Sequence, residues 1–361
     1  MALEVFTTEE YADDLEMSHA LMELELEPLT RLSRDLKQAA VELKEMEVRF
    51  LVDFYYIWQE ARKRSENISR ASKDESGEAY LDEPHSIITW MAKNTHTMEN
   101  LIKGALDVYS NDQEAGIWAR SITGIGPVLS AGLLAHIDIT KCPTVGHIWR
   151  FAGLDPSSIW LGKEKGADLV ASVVPARQRV VTEEQLVKIA DLSKRRLDNL
   201  RRQALGYNKE GDGNSLIRAN VVKVVAKRPW NSDLKTLCWK ISDSFVKFQN
   251  HENDIYGKRY VERKAYETAK NEAGEYSERA ARELQKKNIK NRELRTLLES
   301  GKLPPGQLHM SAKRWTVKLF LAHYHHVAYE SHFGTPPPKP YILDRGGHTH
   351  FIAPPNWPMD F

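Results

Sequence analysis

The stretch that decides the fold is SITGIGPVLSAGLLAHI, residues 121–137. Gly124 and Gly126 enclose a single residue, and because glycine permits backbone conformations that a side chain would obstruct, the chain can turn tightly here. Pro127 suits the first turn of a following helix. Apolar residues then recur on one helical face, namely Val128, Ala131, Leu134 and Ile137. The sequence therefore predicts a helix-hairpin-helix.

A helix-hairpin-helix of this pattern is typical of proteins that bind DNA. The N–H groups of the turn and of the following helix start present positive dipole to a phosphate, and such contacts hold the backbone rather than read the sequence. We predict DNA contacts by Thr123, Gly124, Ile125, Gly126 and Pro127. A tight turn between two helices without any DNA contact is the alternative.

A second DNA-binding candidate is TEEQLVKIADLSKRRLDNLRRQA, residues 182–204. Thr182 can cap a first helix, Asp191 stands at the predicted turn, and Ser193 can cap a second helix. A helix-turn-helix would bury Leu186, Ala190, Leu192, Leu197 and Leu200. Its second helix would present to phosphates and base edges the side chains of Lys194, Arg195, Arg196, Asn199, Arg201 and Arg202. An ordinary amphipathic helix pair is the alternative.

Apolar residues follow a heptad spacing in the first part of the chain. They are Leu29, Leu32, Leu36, Ala39, Leu43, Met46, Phe50 and Ile57, with Asp53 as the one polar interruption. About four heptads of this kind predict a coiled coil or a long amphipathic helix. We expect a homodimer to form through this coiled coil.

These segments divide the chain into seven parts. The first three are an acidic tail at 1–28, the coiled-coil helix at 29–63 and a polar linker at 64–84. The others are a helix-hairpin-helix part at 85–175, a helix-turn-helix candidate inserted at 176–210, further helices at 211–334 and a proline-rich arm at 335–361. No stretch sustains a two-residue alternation, so the predicted fold class is mainly α.

Charge is spread unevenly, although 51 Lys and Arg nearly balance 50 Asp and Glu. Residues 1–30 hold nine acids and no Lys or Arg, whereas residues 176–228 carry a net charge of +7 and residues 255–295 a net charge of +5. Basic segments favour a polyanion such as nucleic acid, and solvated helix faces are the alternative. We expect the acidic start to shield the basic surface when DNA is absent.

Composition disfavours several other classes of protein. No run approaches 18 uncharged apolar residues, which excludes a membrane span, and the acidic N-terminus has no signal-type apolar core, so we expect a cytoplasmic protein. Cys142 and Cys238 cannot make a cysteine-rich zinc site. His348 and His350 form a usable chelating pair, but no His-Glu-x-x-His pattern accompanies them. We therefore predict no metal and no cofactor.

Two regions resemble the transposase domain of the bridge-RNA-guided insertion-sequence transposases. Residues 121–156 contain GIGPVLSAGLLAH from Gly124 and FAGLDP from Phe151, and residues 228–343 contain RPWNSDLK from Arg228 and AKRWTVKLFL from Ala312. The resemblance implies a DNA-binding protein of a mobile element or prophage, with Lys313 and Arg314 as phosphate contacts. One alternative is an active transposase or recombinase that works with RNA or with a partner nuclease domain. A scaffold for protein contacts is the second.

The chain also departs from that family. The family joins this domain to an RNase-H-like nuclease domain with four acidic metal ligands, for which the sequence shows no counterpart. The family supplies a serine nucleophile from a Ser-Gly pair, where this chain has Leu161 and Gly162. Ser158 is the weak candidate for a nucleophile, and a turn after Pro156 is its simpler role. Enzymatic activity is therefore left open by the sequence.

Overall fold

The computed structural model describes residues 33–71, 82–208, 213–285, 289–338 and 351–359. Within these residues it contains 15 α-helices and two short strands, which confirms the mainly α fold. The chain forms two compact units. One comprises Met1–Leu43 and Phe50–Tyr109, and the other comprises Lys44–Arg49 and Ser110–Phe361. None of the described helices combines the length and the apolarity that crossing a bilayer requires.

The first helices are α1 (Arg34–Gln38), a 3-10 helix (Ala39–Glu42), α2 (Glu45–Ala71) and α3 (Asp82–Asn111). The heptad pattern predicts one continuous helix, but the chain leaves helical geometry at Leu43. A new helix starts there because the Glu47 carboxylate accepts a hydrogen bond from the Lys44 amide at 2.8 Å. Leu29 and Leu32 lie outside the described residues, as does the acidic tail.

The linker expected at 64–84 is helical at both of its described ends. Helix α2 continues through Ala71, and α3 begins at Asp82, while residues 72–81 lie outside the described part. The polar composition of 64–71 is compatible with an exposed helix, and a proline such as Pro84 is tolerated in a first helical turn. Within the described part of this segment, residues 64, 67, 68, 70 and 71 are exposed, but the backbone there is helical and not a loop.

Helices α2 and α3 are joined by a buried carboxylate. Glu99 accepts hydrogen bonds from Arg62 at 2.6 Å and from Gln59 at 3.2 Å. Burial alone would raise the pKa of Glu99, but the hydrogen bonds from Arg62, Gln59 and Tyr55 outweigh it and lower the pKa. The ionised pair therefore holds the two helices in one register.

The second unit contains most of the helices. They are α4 (Glu114–Ser121), α5 (Pro127–His136), a 3-10 helix (Ile139–Lys141), α6 (Val145–Phe151), α7 (Gly162–Val173), α8 (Glu183–Ser193), α9 (Leu197–Ala204), α10 (Arg218–Ala226), α11 (Ser232–Lys247), α12 (Tyr256–Glu272), α13 (Ser277–Leu284), α14 (Arg292–Glu299) and α15 (Pro305–Phe333). Strands β1 (Leu205–Asn208) and β2 (Gly213–Leu216) form an antiparallel hairpin between α9 and α10, with Leu205 opposite Leu216.

The main core of this unit is aromatic. The Trp118 ring stacks on Phe320 of α15 with ring centroids 5.7 Å apart, and Phe245 of α11 stacks on Tyr256 of α12 at 4.8 Å. The Trp118 indole N–H donates to the carbonyl of Pro355 at 2.7 Å. The described end of the proline-rich arm therefore packs against the helical body that carries the hairpin.

A separate core lies under the inserted segment. Its buried side chains come from α7 to α10 and include Val170, Val181, Leu186, Ile189, Leu200, Val221 and Val225. Gly166 of α7 lies against the backbone of Ala226 of α10, and a Cβ at Gly166 would come within 3.2 Å of that backbone. Helices α7 to α10 thus form a small packed layer of their own.

Candidate nucleic-acid interface

The hairpin between α4 and α5 is anchored on one side. Gly124 adopts the left-handed backbone conformation at φ +93°, and a Cβ there would meet Ser244 Oγ at 3.0 Å and the Phe248 ring at 3.3 Å. The Ser244 hydroxyl donates to the Gly124 carbonyl at 2.6 Å. Ile125 is buried in the main core. The turn is therefore held firmly against α11.

The other side of the hairpin is open. A Cβ built at Gly126 would meet no atom within 4 Å, and Gly126 caps α5 without a side-chain hydrogen bond. Since the first amides of a helix have no intrahelical acceptor, the start of α5 offers N–H groups on this side. The Thr123 hydroxyl donates to the Asn253 carbonyl at 2.9 Å, which ties the turn to the segment before α12.

Helices α8 and α9 follow one another with a short turn between them, and this turn differs from the predicted one. Thr182 and Gln185 make a complete capping box at the start of α8. The helix continues past Asp191 and ends at Lys194, which adopts the left-handed conformation at φ 54°. Ser193 does not cap α9, because its hydroxyl is buried and donates back to the Ile189 carbonyl at 2.6 Å.

The apolar positions of this segment are mostly, but not all, as predicted. Leu186, Ala190 and Leu200 are buried and Leu197 is half-buried, whereas Leu192 is 48% exposed. The reason is the later turn. Because α8 stays helical for two residues beyond Asp191, Leu192 lies on the outer face of the helix instead of under the turn.

The six predicted DNA contacts on this segment separate into two groups. The Arg201 guanidinium forms an ion pair with the Glu183 carboxylate at 2.8 Å, and the Lys194 ammonium forms one with Asp191 at 3.2 Å. Arg195 donates to main-chain carbonyls at the end of α10, and burial lowers its pKa. The remaining three are exposed, and none of them forms an ion pair in the described part of the chain: Arg196, Asn199 and Arg202.

Beside α9 lies a groove of about 460 Å³. We call it the cationic groove. It is lined by residues of α9 and of the segment from Val224 to Asp233, and by Phe151. Four cationic side chains line it, namely Arg195, Arg196, Lys227 and Arg228, against the single carboxylate of Asp233. Lys227 and Arg228 were not predicted as site residues. The KRPW sequence at the end of the basic segment 176–228 is the signal that could have shown them.

Lys313 and Arg314, expected to bind phosphate together, have different surroundings. Lys313 is only 3% exposed, pairs with Asp243 at 3.2 Å and lies over the Trp239 ring. It is therefore a structural cation and is not placed for a phosphate contact. Arg314 is exposed, and both burial of part of its side chain and the nearby Arg279 lower its pKa.

Ser158 has the surroundings of a turn residue. Its amide donates to the Asp155 carbonyl at 3.2 Å, and its buried hydroxyl has no hydrogen-bond partner among the described residues. The neighbouring Ser157 hydroxyl donates to the Asp155 carboxylate at 2.8 Å. A serine nucleophile requires an adjacent base, and this arrangement supplies none to Ser158.

Two histidines of α15, His323 and His325, are buried and contribute to the core. His323 accepts from the Tyr256 hydroxyl at 2.6 Å through Nδ1 and donates through Nε2 to the Ile352 carbonyl at 2.9 Å. His325 donates to the Cys142 carbonyl at 2.7 Å. Among the described residues, no three His, Cys, Asp or Glu side chains are grouped to hold a metal ion. His348 and His350 lie outside these residues.

The hairpin, α5, α6 and most of α7 make up the part of the chain that resembles known proteins. Residues 118–172 match the IS116/IS110/IS902 transposase family. The chain therefore contains a transposase-like segment, which indicates a transposase-like function in a mobile element. No match was found among curated proteins or among solved structures. The second region of predicted resemblance, 228–343, lies beyond the matched segment.

Proposed function

We propose that this protein binds DNA for a mobile element or prophage, as part of a transposase-type system. The hairpin at 123–127 and α9, at the edge of the cationic groove, hold the DNA backbone. The observation that carries the proposal is the groove, where four cations face one carboxylate. Lys and Arg supply most of the affinity of proteins for duplex DNA because they displace condensed counterions.

The residues around α9 have different roles in this proposal. Arg196, Asn199 and Arg202 contact the DNA, since their side chains are exposed on one helix. Arg195 and Arg201 position that helix through the α10 carbonyls and Glu183. Backbone contacts of this kind fix orientation on the duplex, and Asn199 is the residue suited to reading a base edge.

The exposed heptad residues support a homodimer. Leu36 is 63% exposed, Phe50 62% and Ile57 61%, although the heptad pattern assigns all three to a coiled-coil seam. Burial of such side chains in a second copy of the same helix would remove apolar surface from water. The non-helical residues at 43–44 divide the seam, so the intermolecular contact involves α2 from Met46 to Ile57.

The proposal is tested by duplex binding at several salt concentrations. A fluorescent duplex should bind with an affinity that falls linearly with salt on logarithmic axes. Exchanging both Arg196 and Arg202 for Gln should weaken binding and reduce the slope by roughly one per lost phosphate contact. Arg282→Gln on α13 is the matched control, because it removes an exposed cation outside the groove. A salt-independent affinity, or equal effects of all three substitutions, would contradict the proposal.

A further inference from the structure

Two cations next to the cationic groove are held over tryptophan rings. The Arg228 guanidinium lies 4.8 Å from the centroid of Trp160, and the Lys235 ammonium lies 4.1 Å from the centroid of Trp230. Neither cation forms an ion pair within the described residues. We call these four residues the Trp–cation cluster. Aromatic faces hold cations in place without neutralising their charge.

Close packing and hydrogen bonds fix the two tryptophans of the cluster in place. A Cβ at Gly153, which has φ +65°, would approach the Trp230 ring to 2.6 Å, so the indole lies flat against this turn. The Asn231 amide donates to the Phe151 carbonyl at 2.9 Å, and the Trp160 indole donates to the Ala226 carbonyl at 2.9 Å. Cations fixed in this way lose little freedom when a ligand binds.

The charges around the cluster are mostly of one sign. Partial burial and the nearby Arg228 and Arg314 lower the pKa of Lys235. Asp233 is the carboxylate on the groove wall, and it already accepts a hydrogen bond from Ser232 at 3.2 Å. The Asn231 side chain occupies the first amides of α11. An anionic ligand would therefore be bound by the side-chain cations and not by this helix end.

The size and the aromatic surface of the site select the kind of anion. Arg228 and Trp230 of the cluster line the cationic groove, whose volume of about 460 Å³ is that of a small-molecule pocket. A duplex, whose major groove alone is about 12 Å wide, does not fit into a pocket of this size. Trp160 is 48% exposed. Bases inside a duplex hide their faces, but an unpaired base can stack on an exposed indole.

We infer that the Trp–cation cluster binds an unpaired nucleotide of single-stranded DNA, with Arg228 and Lys235 on neighbouring phosphates and Trp160 stacked on the base. This inference rests on the proposed function and adds single-stranded DNA to the duplex DNA proposed there. Duplex DNA is held by the hairpin and α9, and a locally unpaired strand enters the cationic groove. The protein therefore binds both forms of DNA through different side chains.

The test uses fluorescence polarisation of a labelled oligothymidylate, which has no secondary structure, with the full chain. Arg228→Gln together with Lys235→Gln should weaken binding about tenfold and reduce the salt slope by roughly 0.7 for each lost phosphate contact. Trp160→Ala should weaken it about tenfold, whereas Trp160→Phe, which keeps an aromatic face, should retain most of the affinity. Lys247→Gln, which removes an exposed cation from α11, is the matched control.

Folding is checked separately, because the Trp160 indole also bonds to α10. If Trp160→Ala lowers the thermal midpoint, the comparison uses Trp160→Phe and Lys235→Gln, neither of which removes a buried side chain. Quenching of the native tryptophan fluorescence by oligothymidylate, reduced in Trp160→Phe, gives an independent reading. Unchanged affinity in the Arg228/Lys235 double variant would overturn the inference.

Four further outcomes separate this inference from the proposed function. Duplex binding without oligothymidylate binding would overturn the inference and leave the proposed function standing. Equal competition by thymidine monophosphate would show a general phosphate site and overturn it as well. Tighter binding of oligouridylate than of oligothymidylate would assign the site to RNA and overturn it. Oligothymidylate binding that depends on the cluster, without salt-sensitive duplex binding, would instead support it and refute the duplex contacts of α9.

Discussion

The guanidinium of Arg195 donates to the main-chain carbonyl of Val225 at 3.1 Å, across the small core that joins the turn after α8 to the end of α10. It also donates to the carbonyl of Lys227. This one side chain therefore holds both walls of the cationic groove together. Its neighbour Arg196 is exposed and contacts no carboxylate in the described part of the chain.

Arg195→Ala is expected to destabilise the protein by about 1.5–3 kcal/mol, because it removes charge-assisted hydrogen bonds to buried carbonyls. Arg196→Ala should change the free energy of unfolding by less than about 0.5 kcal/mol, as for other exposed side chains. Urea unfolding of both variants measures the difference. Equal stability of the two would show that the Arg195 contacts contribute nothing to folding.

The two glycines of the hairpin should respond differently to alanine. Gly124→Ala places a Cβ at positive φ and against Ser244 Oγ, so we expect a loss of about 1–3 kcal/mol. The Cβ added by Gly126→Ala would have no atom within 4 Å, so the free energy of unfolding should stay within about 0.5 kcal/mol of the wild-type value. Thermal and urea unfolding compare them directly.

Gly126→Ala serves a second purpose in DNA binding. If a phosphate approaches the open side of the hairpin, the added methyl group should weaken duplex binding while the protein remains folded. If the steric effect of the new side chain outweighs the attraction of its positive charge, Gly126→Arg should lose more duplex affinity than Gly126→Ala. Wild-type duplex affinity in both variants would remove the hairpin from the proposed interface.

Acid should destabilise the protein through His323. Burial lowers the pKa of His323 from 6.5 to about 4, so the unfolded chain binds this proton more readily than the folded one. The neutral form, fixed by the Tyr256 hydroxyl and the Ile352 carbonyl, contributes stability fully above about pH 6.5. That contribution of roughly 3 kcal/mol is lost as the pH falls towards 4.

Urea unfolding between pH 7.5 and pH 4 measures this effect. In His323→Gln the free energy of unfolding should be lower at neutral pH and should fall less steeply with acid. His96→Gln is the control, because that side chain is exposed. An identical pH dependence in wild type and His323→Gln would contradict the assignment.

Charged residues in the exposed heptad seam should dissociate the homodimer. Phe50→Glu together with Ile57→Glu places carboxylates where two copies of α2 would meet, and light scattering should then report a monomer. Val187→Glu changes an equally exposed apolar side chain of α8 and should leave the mass unchanged. A monomeric wild type at micromolar concentration would rule out the proposed dimer.

Local sequence signals predicted some of the helix boundaries around the candidate site. The Gly124–Gly126 spacing with Pro127 predicted the hairpin between α4 and α5, and Thr182 predicted the start of α8. The end of α8 could not be predicted, because a lysine rather than a glycine adopts the left-handed conformation at residue 194. Main-chain hydrogen bonds close this helix end, among them one from the Arg195 amide to the Ala190 carbonyl at 3.0 Å, but no glycine or asparagine marks it in the sequence.

The chain's own sequence determined the helical class, the hairpin and the positions where helices begin, because these depend on neighbouring residues. Only the tertiary structure decided which cations can meet a ligand. In the sequence, five of the predicted cationic contacts look alike. In the structure, main-chain carbonyls accept hydrogen bonds from Arg195, Glu183 pairs with Arg201, and Asp243 pairs with Lys313. Arg196 and Arg202 have no such partner among the described residues. The partners of the other three lie from 18 to 70 residues away along the chain, and a charge is neutralised by what lies near it in space.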